Sequence, residues 1–82
     1  MKHETDHTYT LIITAHNSPG VLVRCAQIFN RRGHNIESLH VSPIAGSNES
    51  RMTITAFGKR ETIHQITMQL QKLIDITAIT EG

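Results

Sequence analysis

Apolar residues recur with a period of two in some segments and of three to four in others, which predicts alternating strands and helices. Residues 8–16 (TYTLIITAH) are rich in β-branched residues and apolar on one parity, as in a strand with one buried face. The residues predicted to face the core are Tyr9, Leu11, Ile13 and Ala15. The next segment has helical spacing, and its predicted apolar stripe comprises Val21, Leu22, Cys25, Ala26, Ile28 and Phe29.

The rest of the chain continues this pattern. Strands are predicted at residues 35–44 (NIESLHVSPI), 51–57 (RMTITAF) and 75–80 (DITAIT), and a second helix at 61–73, where Ile63, Ile66, Leu70 and Leu73 recur three or four apart. The turn-forming stretch 45–50 (AGSNES) joins the second and third strands as a hairpin. Because Pro43 cannot donate to a sheet ladder, the second strand is predicted to lie at an edge.

The element order β-α-β-β-α-β predicts an α+β, ferredoxin-like fold. Two split β-α-β units with right-handed crossovers give a four-stranded antiparallel sheet with both helices on one face. Residues 1–7 are polar and are predicted to be a disordered lead-in, and residues 8–82 a single domain. An uncovered apolar edge strand invites pairing, so we expect a homodimer in which the second strands of two copies join.

Composition and charge narrow the functional classes. The 82 residues carry eight Lys and Arg against seven Asp and Glu, a net charge of +1 that argues against nucleic-acid binding. No apolar run approaches the ~20 residues that a membrane span needs, and the first residues lack the apolar core of a signal peptide. The single cysteine, Cys25, excludes an internal disulfide. We therefore expect a cytoplasmic protein with no membrane partner.

The turn at residues 17–20 is the first candidate binding site. Ser18 and Pro19 are predicted to cap and begin the first helix. The free N–H groups at a helix start attract a carboxylate or a phosphate, Gly20 lets a ligand approach the backbone, and Asn17 can orient it with its amide. The alternative is purely structural, since strand-to-helix turns use these residue types for turn geometry alone.

A second candidate segment follows Gly33, which is predicted to cap the first helix with a positive φ. Asn35 and Ile36 open the edge strand, and Asn35 could simply satisfy loop backbone groups. If two edges pair, both residues approach the 17–20 turn of the other copy. A pocket shared between protomers, with polar atoms at its mouth and aliphatic side chains at its floor, would suit an aliphatic amino acid.

Catalytic and metal-binding patterns are not found in the sequence. The histidines are spread over different elements, and no H-x-x-x-H pair falls on a helix. Cys25 lies on an apolar helix face and is interpreted as a small buried residue rather than a nucleophile. Glu37 and Glu49 are interpreted as solvated carboxylates. We therefore predict no catalytic residue and no metal site in this chain.

Four runs carry a resemblance to a known family. They are residues 17–22 (NSPGVL), 29–39 (FNRRGHNIESL), 50–54 (SRMTI) and 71–75 (QKLID). With them the chain resembles the ACT domain family, and most closely the regulatory (small) subunits of acetolactate synthase, also called acetohydroxyacid synthase. The resemblance covers about residues 9–80. The N-x-x-G turn alone is weak, whereas the R-R-G-x-N-I-E-S-L run in register with the other two is specific.

The resemblance implies a regulatory role. Members of the family dimerise edge to edge, bind and activate the catalytic subunit, and confer feedback inhibition by valine or a related branched-chain amino acid. Carried over, effector contacts would come from Asn17 and Gly20 of one protomer, the backbone N–H groups of Val21 and Leu22, and Asn35 and Ile36 of the other protomer. Thiamine diphosphate, Mg²⁺ and FAD would belong to the catalytic subunit, with no cofactor in this chain.

Two departures and three alternatives accompany that resemblance. Longer members carry a second C-terminal domain, and Ser18-Pro19 replaces the more usual acidic-Ser pair. One alternative is a free-standing ACT sensor without a synthase. Another is an acylphosphatase-like enzyme, because residues 20–24 have the G-V-x-x-R spacing, although the catalytic Asn of a G-x-V-x-N run is missing. An RNA-binding module is disfavoured, because only Phe57 is aromatic on the third strand.

Overall fold

The computed structural model describes residues 6–82 and has the predicted element order. The elements are β1 (Asp6–His16), α1 (Val21–Arg31), β2 (Ser38–Pro43), β3 (Glu49–Lys59), α2 (Arg60–Gln71) and β4 (Ile76–Glu81). The strands form one antiparallel sheet in the order β2-β3-β1-β4. The two helices pack together on the sheet, which confirms the ferredoxin-like α+β fold and the edge position of β2.

The two central strands are longer than predicted, β1 at its start and β3 at both ends. β1 pairs with β3 from Asp6↔Lys59 to His16↔Glu49. The predicted lead-in is therefore wrong at residues 6 and 7, because ladder hydrogen bonds to β3 extend the strand, and its residues 1–5 lie outside the described part of the chain. β3 also continues through Gly58, where the absence of a side chain leaves room for the imidazole of His34 against the backbone.

The core lies between the helices and one face of the sheet. The predicted strand parities are confirmed, with Tyr9, Leu11, Ile13, Ala15, Met52, Ile54 and Ala56 buried. α2 contributes Ile63, Ile66 and Leu70 as predicted. The stripe on α1 is narrower than predicted: Leu22 is 40% exposed and Ala26 is exposed, because only the positions of Val21, Cys25, Ile28 and Phe29 reach the sheet and α2.

Cys25 is a core residue of α1 with no accessible surface. Burial raises the pKa of its thiol to about 11, and the positive charge of Arg24 opposes that shift only in part. The thiolate is therefore scarce at neutral pH, which agrees with a packing role and not with a nucleophile.

The edge strand β2 is shorter than predicted and is exposed along its whole length. Ile44 donates its backbone N–H to Glu49, and alternate residues of a strand face the same neighbour, so the even-numbered positions 38–44 pair with β3. Leu39, Val41 and Pro43 therefore direct their backbone groups away from the sheet. Proline has no backbone N–H, but an N–H at position 43 would face the open edge, so no ladder hydrogen bond is lost.

Neither helix among residues 6–82 is long and apolar enough to cross a membrane.

Candidate functional site

The loop between β1 and α1 begins where β1 ends beside the β2–β3 hairpin. Asn17 donates its backbone N–H to the carbonyl of Asn48 at 2.7 Å, and Ser18 donates to the carbonyl of His16 at 2.8 Å. Gly20 follows with φ = 86° and is the N-cap residue of α1. That left-handed conformation explains the requirement for glycine, and a Cβ here would also approach Nη1 of Arg24 to 3.2 Å.

Ser18 does not cap the helix, so that prediction is wrong. Because Gly20 takes the N-cap position, Ser18 lies too far upstream, and its Oγ instead donates to Oδ1 of Asp75 at 3.4 Å. The same carboxylate accepts a hydrogen bond from Nη2 of Arg24 at 2.5 Å and lies 3.9 Å from Nδ1 of His16. Asp75 thus connects the loop before α1 to the loop before β4. It also forms an ion pair with Arg24, the residue that would bind phosphate in an acylphosphatase.

The start of α1 leaves backbone donors without acceptors. The N–H of Val21 reaches the carbonyl of Ser18 only at 3.4 Å, and within residues 6–82 those of Leu22 and Val23 have no acceptor. The first turn also contains no acidic residue. Free N–H groups and the positive end of the helix dipole together favour an anion such as a carboxylate.

A small cavity of about 70 Å³ adjoins these donors. Its walls are mostly aliphatic, and they come from α1 (Val21 and Leu22), from the edge strand (Val41) and from β3 (Met52). Asn17 and Ser50 add polar atoms. The arrangement offers a place for a carboxylate beside a place for a small aliphatic group, which are two of the three groups of an aliphatic amino acid.

Asn35 and Ile36 lie at the other end of β2. Asn35 is exposed and lines a separate concavity of about 330 Å³ with His34 and Phe57, whereas Ile36 is partly buried against the core. β2 separates them from Asn17, and six strand residues span about 20 Å. One protomer therefore brings together Asn17, Gly20, Val21 and Leu22 but not Asn35 and Ile36.

The residues that the sequence analysis missed at this end are Val23, Val41, Ser50, Met52 and Asp75. One signal was available for Asp75: Arg24 stands in the first turns of a helix with no acid of its own, so a carboxylate from elsewhere is needed there. Ser50 shares the parity of the buried Met52, which places it on the helix-covered face.

A separate concavity lies away from the start of α1. It measures about 480 Å³ and runs between α2 and β4, with Arg60, His64 and Glu81 at its rim. It contains none of the predicted site residues. In the described part of the chain no three His, Cys, Asp or Glu side chains are grouped closely enough to hold a metal ion.

Comparison with known proteins identifies the family. The family model for the acetohydroxyacid synthase small subunit-like ACT domain matches residues 11–78. The acetolactate synthase small subunit of Mycobacterium bovis is 46% identical over 74 residues, which are 90% of this chain and 44% of that protein. That of Buchnera aphidicola is 42% identical over 81 residues, 99% of this chain and 48% of that protein. The chain thus spans about half the length of these curated relatives.

Solved structures agree with this result. The small subunit of acetolactate synthase from Thermotoga maritima superposes with a TM-score of 0.82 at 35% identity, covering 92% of this chain and 47% of that one. The ACT domain of a GTP pyrophosphokinase from Chlorobium tepidum superposes with a TM-score of 0.78 over 95% of this chain, but at 14% identity it shows the fold alone. The chain belongs to the family of acetohydroxyacid synthase small subunit-like ACT domains.

Proposed function

We propose that this protein is a regulatory subunit of acetolactate synthase that forms a homodimer, binds a branched-chain amino acid and transmits its presence to the catalytic subunit. The observation that carries the proposal is the pair of free N–H groups at Leu22 and Val23 beside a small aliphatic cavity. The names of the relatives support the synthase as the partner, and a free-standing sensor is the alternative.

The open edge of β2 supports the dimer. Leu39 and Val41 are 37% and 48% exposed, and both direct unpaired backbone groups outward. An antiparallel pairing of two β2 strands would satisfy these groups and cover both side chains. It would also set the start of one β2 beside the end of the other. Asn35 of the partner subunit would then lie near Asn17, whereas within one chain the length of β2, about 20 Å, separates the two residues.

The composite site would contact the carboxylate, the side chain and the ammonium group of an amino acid. Its carboxylate would accept hydrogen bonds from the N–H groups of Leu22 and Val23, and Gly20 leaves the approach open. The aliphatic side chain would enter the cavity beside Val41. The amide oxygen of Asn17 and that of Asn35 of the partner subunit would accept from the ammonium group, because both side chains are exposed and without partners among residues 6–82.

The chemistry of the synthase would belong to its catalytic subunit. Thiamine diphosphate, Mg²⁺ and FAD would be bound there, and this chain would act by changing the equilibrium between states of the complex. An effector that binds the dimer in one of those states more tightly shifts the complex toward that state by the difference in affinity.

Calorimetric titration with valine, leucine and isoleucine tests the site. We expect binding to the unmodified protein, and Asn17→Ala and Asn35→Ala each to weaken it by about 0.5–1.5 kcal/mol, because each loses one amide hydrogen bond. Asn30→Ala is the matched control, since Asn30 is exposed near the C-terminal end of α1 and should leave the affinity unchanged. Absence of heat with all three amino acids would contradict sensing. Co-purification with the catalytic subunit separates the synthase subunit from a free-standing sensor.

A further inference from the structure

Ser50 has an unusual position in the wall of the cavity. It is the one polar residue among the buried residues of the described chain, at 8% exposure. Its neighbours across the sheet are Ala15 in β1 and Pro43 in β2, and neither side chain can form a hydrogen bond. Within residues 6–82 its hydroxyl has no partner, and the residue lines the cavity beside the start of α1.

The oxygen of the Ser50 hydroxyl is not among the fully enclosed unpaired atoms of the described chain, so it keeps accessible surface in the cavity. The aliphatic walls formed by Val21, Val41 and Met52 supply no hydrogen-bond partner, and burying the hydroxyl without one is unfavourable. A ligand that fills the cavity with methyl groups alone leaves this hydroxyl unpaired and removes it further from water. A ligand of the same shape with a hydroxyl in place of one methyl group can donate to it or accept from it. The cavity therefore distinguishes two side chains of equal size by one hydrogen bond.

We propose that Ser50 is a specificity-determining residue that contacts the group on the β-carbon of the effector and favours a hydroxyl over a methyl there. The inference rests on the proposed amino-acid site, because it places the effector side chain in the cavity. It extends the class of ligands from aliphatic branched-chain amino acids to their β-hydroxylated isostere. The cavity of about 70 Å³ is small, so we expect it to accept a short branched side chain.

Titration of the full chain with L-threonine and with L-valine, two isosteres, tests the proposal. The quantity measured is the ratio of the dissociation constant for threonine to that for valine. We expect Ser50→Ala to raise this ratio roughly 3- to 10-fold, because threonine loses a hydrogen bond while valine no longer buries an unpaired hydroxyl. Ser42→Ala, on the opposite face of the sheet, is the control and should leave the ratio unchanged.

Ser50→Cys keeps nearly the same volume and provides a second variant if the alanine protein does not fold. Because a thiol is a weak donor and acceptor, the ratio should rise with this variant too. An unchanged ratio in folded Ser50→Ala or Ser50→Cys, with binding of valine retained, would overturn this inference alone. If the unmodified protein bound neither amino acid, that result would contradict both this inference and the proposed function.

Discussion

Leu39→Pro is expected to give a folded monomer that no longer binds a branched-chain amino acid. The N–H of Leu39 points away from β3, so proline removes a donor from the open edge without breaking a bond inside the sheet. A symmetric dimer would lose two hydrogen bonds, about 1–3 kcal/mol in total. The rigid proline ring would also lie in the interface between the two β2 strands. Pro43 shows that the edge tolerates proline at an outward position.

Analytical ultracentrifugation and calorimetry measure these two effects. Leu39→Thr is the matched control, because it keeps the backbone donor and introduces a β-branched side chain that suits a strand. Circular dichroism reports whether both variants keep the fold. A Leu39→Pro protein that remains dimeric, or that binds the effector as a monomer with unchanged affinity, would refute the edge-to-edge arrangement.

Asp75→Ala is expected to lower the free energy of unfolding by about 1–3 kcal/mol and to weaken effector binding. Its carboxylate is 19% exposed and joins Arg24 and Ser18 across two loops, so its loss leaves a cation at the start of α1 and frees the loop that holds Gly20. Because the side chain of Arg24 is 43% exposed, the ion pair itself contributes little, and most of the effect should come from the lost hydrogen bonds.

Urea unfolding followed by circular dichroism measures the stability change, and calorimetry measures the affinity. Asp75→Asn should fall between the unmodified protein and Asp75→Ala, because an amide oxygen still accepts from Ser18 or Arg24. Glu81→Ala removes an exposed carboxylate at the end of β4 and should have little effect on either quantity. Unfolding of Asp75→Ala at the same urea concentration as the unmodified protein would show that Asp75 does not hold the loop.

The fold was predictable because local patterns and topology rules agree in this chain. One arrangement of the sheet and helices satisfies three patterns in the sequence: the alternation of apolar residues in β1 and β3, the apolar stripe of α2, and the proline in β2. The errors fall where tertiary contacts decide. Residues 6 and 7 are polar but pair with β3, and Leu22 is apolar but has no element to cover it in one protomer.

The site was less predictable from the sequence, because its parts meet only in three dimensions. The loop at residues 17–20 was found from its residue types, yet the role of Ser18 depends on Asp75, 57 positions away. From its polar neighbours Ser50 is predicted to lie in a loop. Its burial becomes evident only from the pairing of β3 with β1, which sets Ser50 opposite Ala15. The relation of Asn35 to Asn17 depends on a second copy of the chain, which no local pattern specifies.

Mixing two defective homodimers tests most directly whether each site is built from two protomers. In a heterodimer of an Asn17→Ala protomer and an Asn35→Ala protomer, one site would lose both amides and the other would keep both. We expect heterodimers isolated with two different affinity tags to bind valine at one site per dimer with the affinity of the unmodified protein. Heterodimers in which both sites stay as weak as in the parent variants would show that each protomer binds the effector alone and would contradict a site built from two protomers.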